Sequence, residues 1–154
     1  MSHETSTSAD HWVAAQSAFE YAIVDRKFRH HVKSLSLVGR AVLSTKNEQD
    51  HVIPEAFRRL ILQHPDLVRG AAAVLGVFAE MYGREMIAKI LYARSGYQAL
   101  LDAGLWAEAP LEPAELEEVD EEIREMVRTV EFPTDERRPK AVPPEHDWWP
   151  DSSC

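Results

Sequence analysis

Apolar residues recur along this chain at three- and four-residue steps, and no stretch alternates with period two long enough to make a strand. Such spacing is the mark of amphipathic helices. Trp12, Phe19 and Ile23 form a first stripe, and Phe28, Val32, Leu35, Gly39 and Val42 form a second. The step from Ile23 to Phe28 covers five residues, which breaks the register and predicts a bend among Asp25, Arg26 and Lys27. Residues 1–9 are polar and aperiodic, and Asp10 is a good N-cap, so the ordered part is expected to begin there. The all-polar segment Ser44 to Asp50 reads as a loop. Pro54 suits the first turn of a short helix carrying Phe57, Leu60 and Ile61, and Pro65 disfavours helical geometry at His64, where that helix must stop.

The most regular pattern runs from Pro65 to Tyr82. Leu67, Ala71, Val74, Phe78 and Met81 form one stripe, and Val68, Ala72, Leu75, Ala79 and Tyr82 the stripe beside it. Two adjacent apolar stripes predict a central, largely buried helix, with Gly83 as its stop. A helix from Arg84 to about Ala93 follows, and after Ser95 and Gly96 a short one from Tyr97 to Ala103. The last helix has the firmest start: Pro113 stands at its first position, Leu111 and Leu116 are spaced as a hydrophobic staple, and Glu115, Glu117 and Glu118 lie where the helix dipole favours negative charge. Leu116, Val119, Ile123, Met126 and Val130 give it an apolar seam. Beyond Pro133 there is no periodicity, and four of the nine prolines fall there. The expected fold is all-α: an irregular bundle of five to seven helices over residues 10–131, between a disordered N-terminus (1–9) and an extended Pro- and Trp-containing tail (132–154).

Length and composition agree with that picture, since 154 residues with 45% apolar content suffice for one core. The longest apolar run, Ala71 to Ala79, is far short of the roughly 18 residues that span a bilayer. The polar N-terminus has no signal-peptide character, and the single cysteine, Cys154, allows no internal disulfide, so a cytoplasmic protein is expected.

Charge changes the picture more. Residues 1–105 hold twelve basic and eleven acidic side chains, whereas residues 106–131 hold two basic against ten acidic. That asymmetry points to an interaction surface, and Glu115, Glu118, Glu122 and Glu125 on the acidic helix are the candidate partner-binding residues. Trp148 and Trp149 join them, because large aromatics are uncommon in a Pro-rich polar tail: the pair either folds back on its own bundle or anchors the tail in another subunit or partner, the remaining alternative being an idle tail. The preferred reading is a non-catalytic interaction or assembly protein that grips a protein partner or a copy of itself.

The alternative is a DNA-binding regulator. Arg26, Lys27, Arg29, Lys33 and Arg40 concentrate positive charge around one helix, although a solvated helix face with Phe28 and Val32 buried beneath it would show the same residues. A degenerate helix-turn-helix can be drawn over residues 86–101, with Tyr92 where the turn usually wants glycine and no basic residue after Arg94. Catalytic chemistry has no footing in the pattern. The seven histidines include no His-x-x-x-His spacing, no serine sits in a Gly-x-Ser-x-Gly setting, and six glycines form no phosphate-cradling loop. No metal, cofactor or enzymatic activity is expected.

Overall fold

The computed structural model describes residues 8–43, 52–104, 111–129, 146, 148 and 149. These form six helices and no strand: α1 (Ser8–Asp25), α2 (Phe28–Leu43), α3 (Glu55–Gln63), α4 (Pro65–Ala73), α5 (Leu75–Asp102) and α6 (Pro113–Thr129). The all-α bundle follows the apolar periodicity. α1 already includes Ser8, so Asp10 lies within its first turn and is not its cap. The break after Ile23 falls where the five-residue step places it, with Arg26 in left-handed geometry (φ 60°) between α1 and α2. Pro54 immediately precedes α3, and its carbonyl accepts from the Arg58 N–H at 2.9 Å. The expected loop at residues 44–50 and seam residue Val130 lie outside the described residues.

The centre of the bundle is not where the two apolar stripes put it. Residues 65–82 do not form one buried helix: Val74 interrupts them, and beyond it Val77, Met81 and Tyr82 are exposed. Val68, Ala71, Ala72, Leu75 and Ala79 are buried, and Leu67, Val74 and Phe78 pack partly buried against the core, so both stripes meet protein until Met81 and Tyr82 leave it. The core is built instead on α2 and residues 87–100 of α5, with α1 packed along α2. Ser95 and Gly96, expected to separate two helices, lie buried inside α5 where it crosses α2. A Cβ on Gly96 would come 2.1 Å from the Leu35 carbonyl oxygen, and one on Gly39 would come 2.0 Å from that of Tyr92. The two backbones touch because both positions lack a side chain. That continuous, crossed helix also removes the helix-turn-helix reading of residues 86–101, since no turn divides them and Ser95, Gly96 and Tyr97 face the interior.

On the other side of α2, Ser34 donates to the Ala15 carbonyl (2.9 Å) and His31 Nε2 lies 3.1 Å from the Ala22 carbonyl, tying α2 to α1. Phe57 of α3 closes this end against Trp12 and Phe19, edge to face at 6.3 and 5.8 Å. Such aromatic contacts contribute about 0.5–1.5 kcal/mol each beyond the area they bury.

Within α5, Tyr82 and Met86 leave helical geometry on either side of Gly83, so the expected stop is a kink. The kink makes a fork for α6. Arg69 meets Glu115, Gly76 lies against Val119 and Glu122, and Gly83 lies against Met126, so the chain from α4 into α5 runs parallel to α6. Past the kink, Arg94 meets Asp120 and Tyr97 meets Leu111, so that arm is antiparallel. Val119, Ile123 and Met126 are buried in the fork, as the seam requires.

Candidate functional site

α6 starts as its local sequence dictates. The Glu115 carboxylate accepts from the Glu112 N–H (3.3 Å), Pro113 takes the first position, and the Leu111 N–H donates to the Tyr97 hydroxyl at 3.0 Å. Burial raises the Tyr97 phenol above its ordinary pKa, outweighing the Leu111 hydrogen bond that lowers it.

Apart from Glu115, the acids of this helix divide into three groups. Glu117, Glu121 and Glu125 form an outer row laced to Arg124 and Arg128 at 2.6–3.2 Å. Hydrogen bonds from Arg128 and then Arg124 hold the Glu121 carboxyl below its usual range, and Glu125 and Glu121 raise Arg128 in turn. Asp120 is buried and accepts from Arg94 through both carboxylate oxygens, at 2.5 and 3.1 Å. Glu118 and Glu122 make up the third group. Together with Glu80 of α5 they make no ion pair or hydrogen bond among the described residues, and they line an open groove of about 450 Å³. Its apolar wall is Ala73, Gly76, Val77, Leu111 and Val119. Glu115, at one end, pairs with Arg69 at 3.0 Å. Of the four predicted acidic site residues, the structure therefore brings Glu115, Glu118 and Glu122 together on the groove and ties Glu125 to Arg128 on the outer row.

Trp148 and Trp149 are placed on their own chain, 4% and 3% exposed. Both indole N–H groups donate to Ser95 Oγ, at 3.3 and 2.9 Å, and His146 Nδ1 lies 3.0 Å from the same oxygen. Indoles only donate, so they occupy the lone pairs of the hydroxyl, and its proton goes to His146 Nδ1. His146 stacks on Trp148 at 4.6 Å, Arg94 lies 4.2 Å from the same ring, and Trp149 packs edge-on against Tyr92 at 5.0 Å. This Ser–His pair is not arranged as nucleophile and base, because the hydroxyl is fully buried and its lone pairs are spoken for. It is a clasp that fixes the aromatic segment over the α2–α5 crossing.

No protein-family model matches this chain, and comparisons with curated proteins and with solved structures returned no match. The site has to be read from its own residues.

The basic residues of the alternative reading do not form one face. Arg26, Lys27, Arg29 and Lys33 are exposed around the start of α2, whereas Arg40 lies over the Tyr92 ring at 4.1 Å. Phe28 is 48% exposed, not buried beneath them; its ring edge rests on Gly70 of α4. Val32 is fully buried, as expected. Nearby, His30 Nε2 sits 2.7 Å from Asp25 Oδ2. Among the described residues no group of three or more His, Cys, Asp or Glu is placed to hold a metal ion, and no helix is long and apolar enough to cross a membrane.

Arg94, Ser95, Asp120 and His146 are the residues that sequence reasoning missed. Asp120 carried a signal: it follows Val119 on the buried side of an otherwise apolar seam, where an acid has to find a cation. Ser95 carried none, since its partners lie 51 to 54 residues away.

Proposed function

We propose that this chain is a small, non-catalytic interaction protein that holds a positively charged protein partner, or a second copy of itself, in the groove between α5 and α6. One observation carries the reading. Glu115, Glu117, Asp120, Glu121 and Glu125 of α6 each have a cation, whereas Glu118 and Glu122, with Glu80 opposite, have none among the described residues and border an apolar wall. Like charges gathered beside apolar surface are unfavourable until a partner supplies the opposite charge and covers that surface. The aromatic segment serves this reading by completing the bundle that holds the groove in shape. A cytoplasmic setting belongs to the same reading.

The test is affinity capture from the native host with the full chain and with Glu118→Gln/Glu122→Gln, at low and high salt. The expected outcome is a protein held by the unaltered chain, released by salt and absent from the double variant. Identical sets on both chains would remove a foreign partner from the groove.

A further inference from the structure

We infer that the occupant of the groove is the basic corner of a second copy of this chain: the start of α2, with Phe28 entering the apolar trough and Arg26, Lys27, Arg29 and Lys33 meeting the carboxylates. The inference rests on the reading of the groove given above and names its partner.

Three features of the molecule carry it. The first is chemical fit. The groove offers apolar surface, extended by Val77 and by Met81, 64% exposed, beside Glu80, Glu118 and Glu122. Its complement is a large apolar side chain among cations on a helical turn, and the α2 start is such an element: half-exposed Phe28 sits between Lys27 and Arg29, with Arg26 before them and Lys33 one turn further on. The second is the spread of the acids. They are strung along two helices and do not converge as a metal site does, which suits several cationic side chains spaced along a partner helix. The third is layout. Phe28 rests on Gly70 of α4, and the residue before it, Arg69, pairs with Glu115 at the end of the groove. Knob and groove therefore flank α4 on the same chain. A two-fold axis close to α4 lets each copy place its knob in the groove of the other, so that both contacts form at once and the assembly closes as a dimer.

Sedimentation equilibrium on the full chain tests this. A monomer–dimer equilibrium is expected, weakened about tenfold or more between low and about 0.5 M salt because exposed charges are screened. Phe28→Ala is expected to weaken it about tenfold. Ala73→Leu, which fills the trough from an exposed position on its wall, is expected to do the same. The decisive pair is charge reversal: Glu118→Lys/Glu122→Lys and Lys27→Glu/Arg29→Glu, all at exposed positions, should each be monomeric, while their equimolar mixture forms a one-to-one heterodimer. A chain that stays monomeric at roughly 100 µM, a mixture that fails to associate, or a dimer indifferent to both reversals overturns the inference. A monomer whose captured partner is still lost with Glu118→Gln/Glu122→Gln removes the second copy but leaves the groove reading standing. A dimer with the expected charge response whose captured proteins ignore that double variant keeps the self-contact and rejects a foreign partner.

Discussion

The α2–α5 crossing and the α5–α6 groove lie on the two arms of one kinked helix and are built on opposite terms. At the crossing, two glycines let backbones touch, a buried serine satisfies three side chains, and Tyr92, His146, Trp148 and Trp149 are stacked or edge-on. In the groove, the glycine meets its neighbours only at ordinary contact distance, Ala73 and Val77 are exposed on the wall, and three carboxylates have no described cation. Fit has been completed in one region and left open in the other. An unfinished surface beside a finished core marks where further contact is to come from outside the chain.

Breaking the finished side has the largest expected effect. Asp120→Ala strands the buried Arg94 guanidinium and should destabilise the chain by about 3–5 kcal/mol in chemical denaturation. A loss below about 0.5 kcal/mol, the range of surface changes, would mean that the pair is not buried. Next come the glycines, which sharpen the comparison most directly. Gly39→Ala drives a methyl into the Tyr92 carbonyl and should cost about 3 kcal/mol, lowering the Tm by roughly 6–12 °C. Gly76→Ala meets only ordinary contacts at 3.6 Å or more and should be neutral, or stabilising by up to about 1 kcal/mol through helix propensity. Equal effects at the two positions would erase the distinction between the regions.

Ser95→Ala removes the acceptor of two indole N–H groups and should cost about 1–3 kcal/mol, with a shift in tryptophan emission as those indoles change surroundings. Unchanged stability together with unchanged emission would dissolve the clasp. The smallest effect is at His11. Burial first, and Arg40 second, hold its pKa below the ordinary histidine value, against the opposing charge of Asp10. The folded state thus favours neutral His11, so its contribution is present above the unfolded pKa and fades as pH falls through that value toward the lower folded one. His11→Gln should therefore lose slightly less stability than the unaltered chain between pH 7 and pH 5, and an identical or larger loss would contradict this.

Much of the helical framework was legible from local rules. The five-residue step before Phe28 marked the α1–α2 break, His64 before a proline ended α3, and Pro113 began α6. What escaped depends on partners distant along the chain. Gly39, Gly76 and Gly96 are one residue type, yet at two of them a Cβ would strike a neighbouring backbone and at Gly76 it would meet only ordinary contacts, a difference that resides wholly in what packs opposite. The twin stripes of residues 65–82 suggested a central helix for the same reason: periodicity shows which faces are apolar, not that the helix runs on through Val74 or that the core centres there. Of the candidate site, Glu118 and Glu122 were visible as helix acids, but their lack of a cation became apparent only once Arg124 and Arg128 were seen to serve the outer row.

The clasp on Ser95 joins residues more than fifty positions apart, yet within the described residues it consists of three side chains set on an already formed helix. Its closure is consequently a long-range, late event in folding, and its opening can precede any loss of helix. Amide hydrogen exchange should then report two tiers: around Tyr92 to Gly96, protection set by the clasp, and at Val32 to Val38, protection set by global unfolding. Protein with the clasp open would present a partly uncovered joint between α2 and α5, a species distinct from both the native and the unfolded chain.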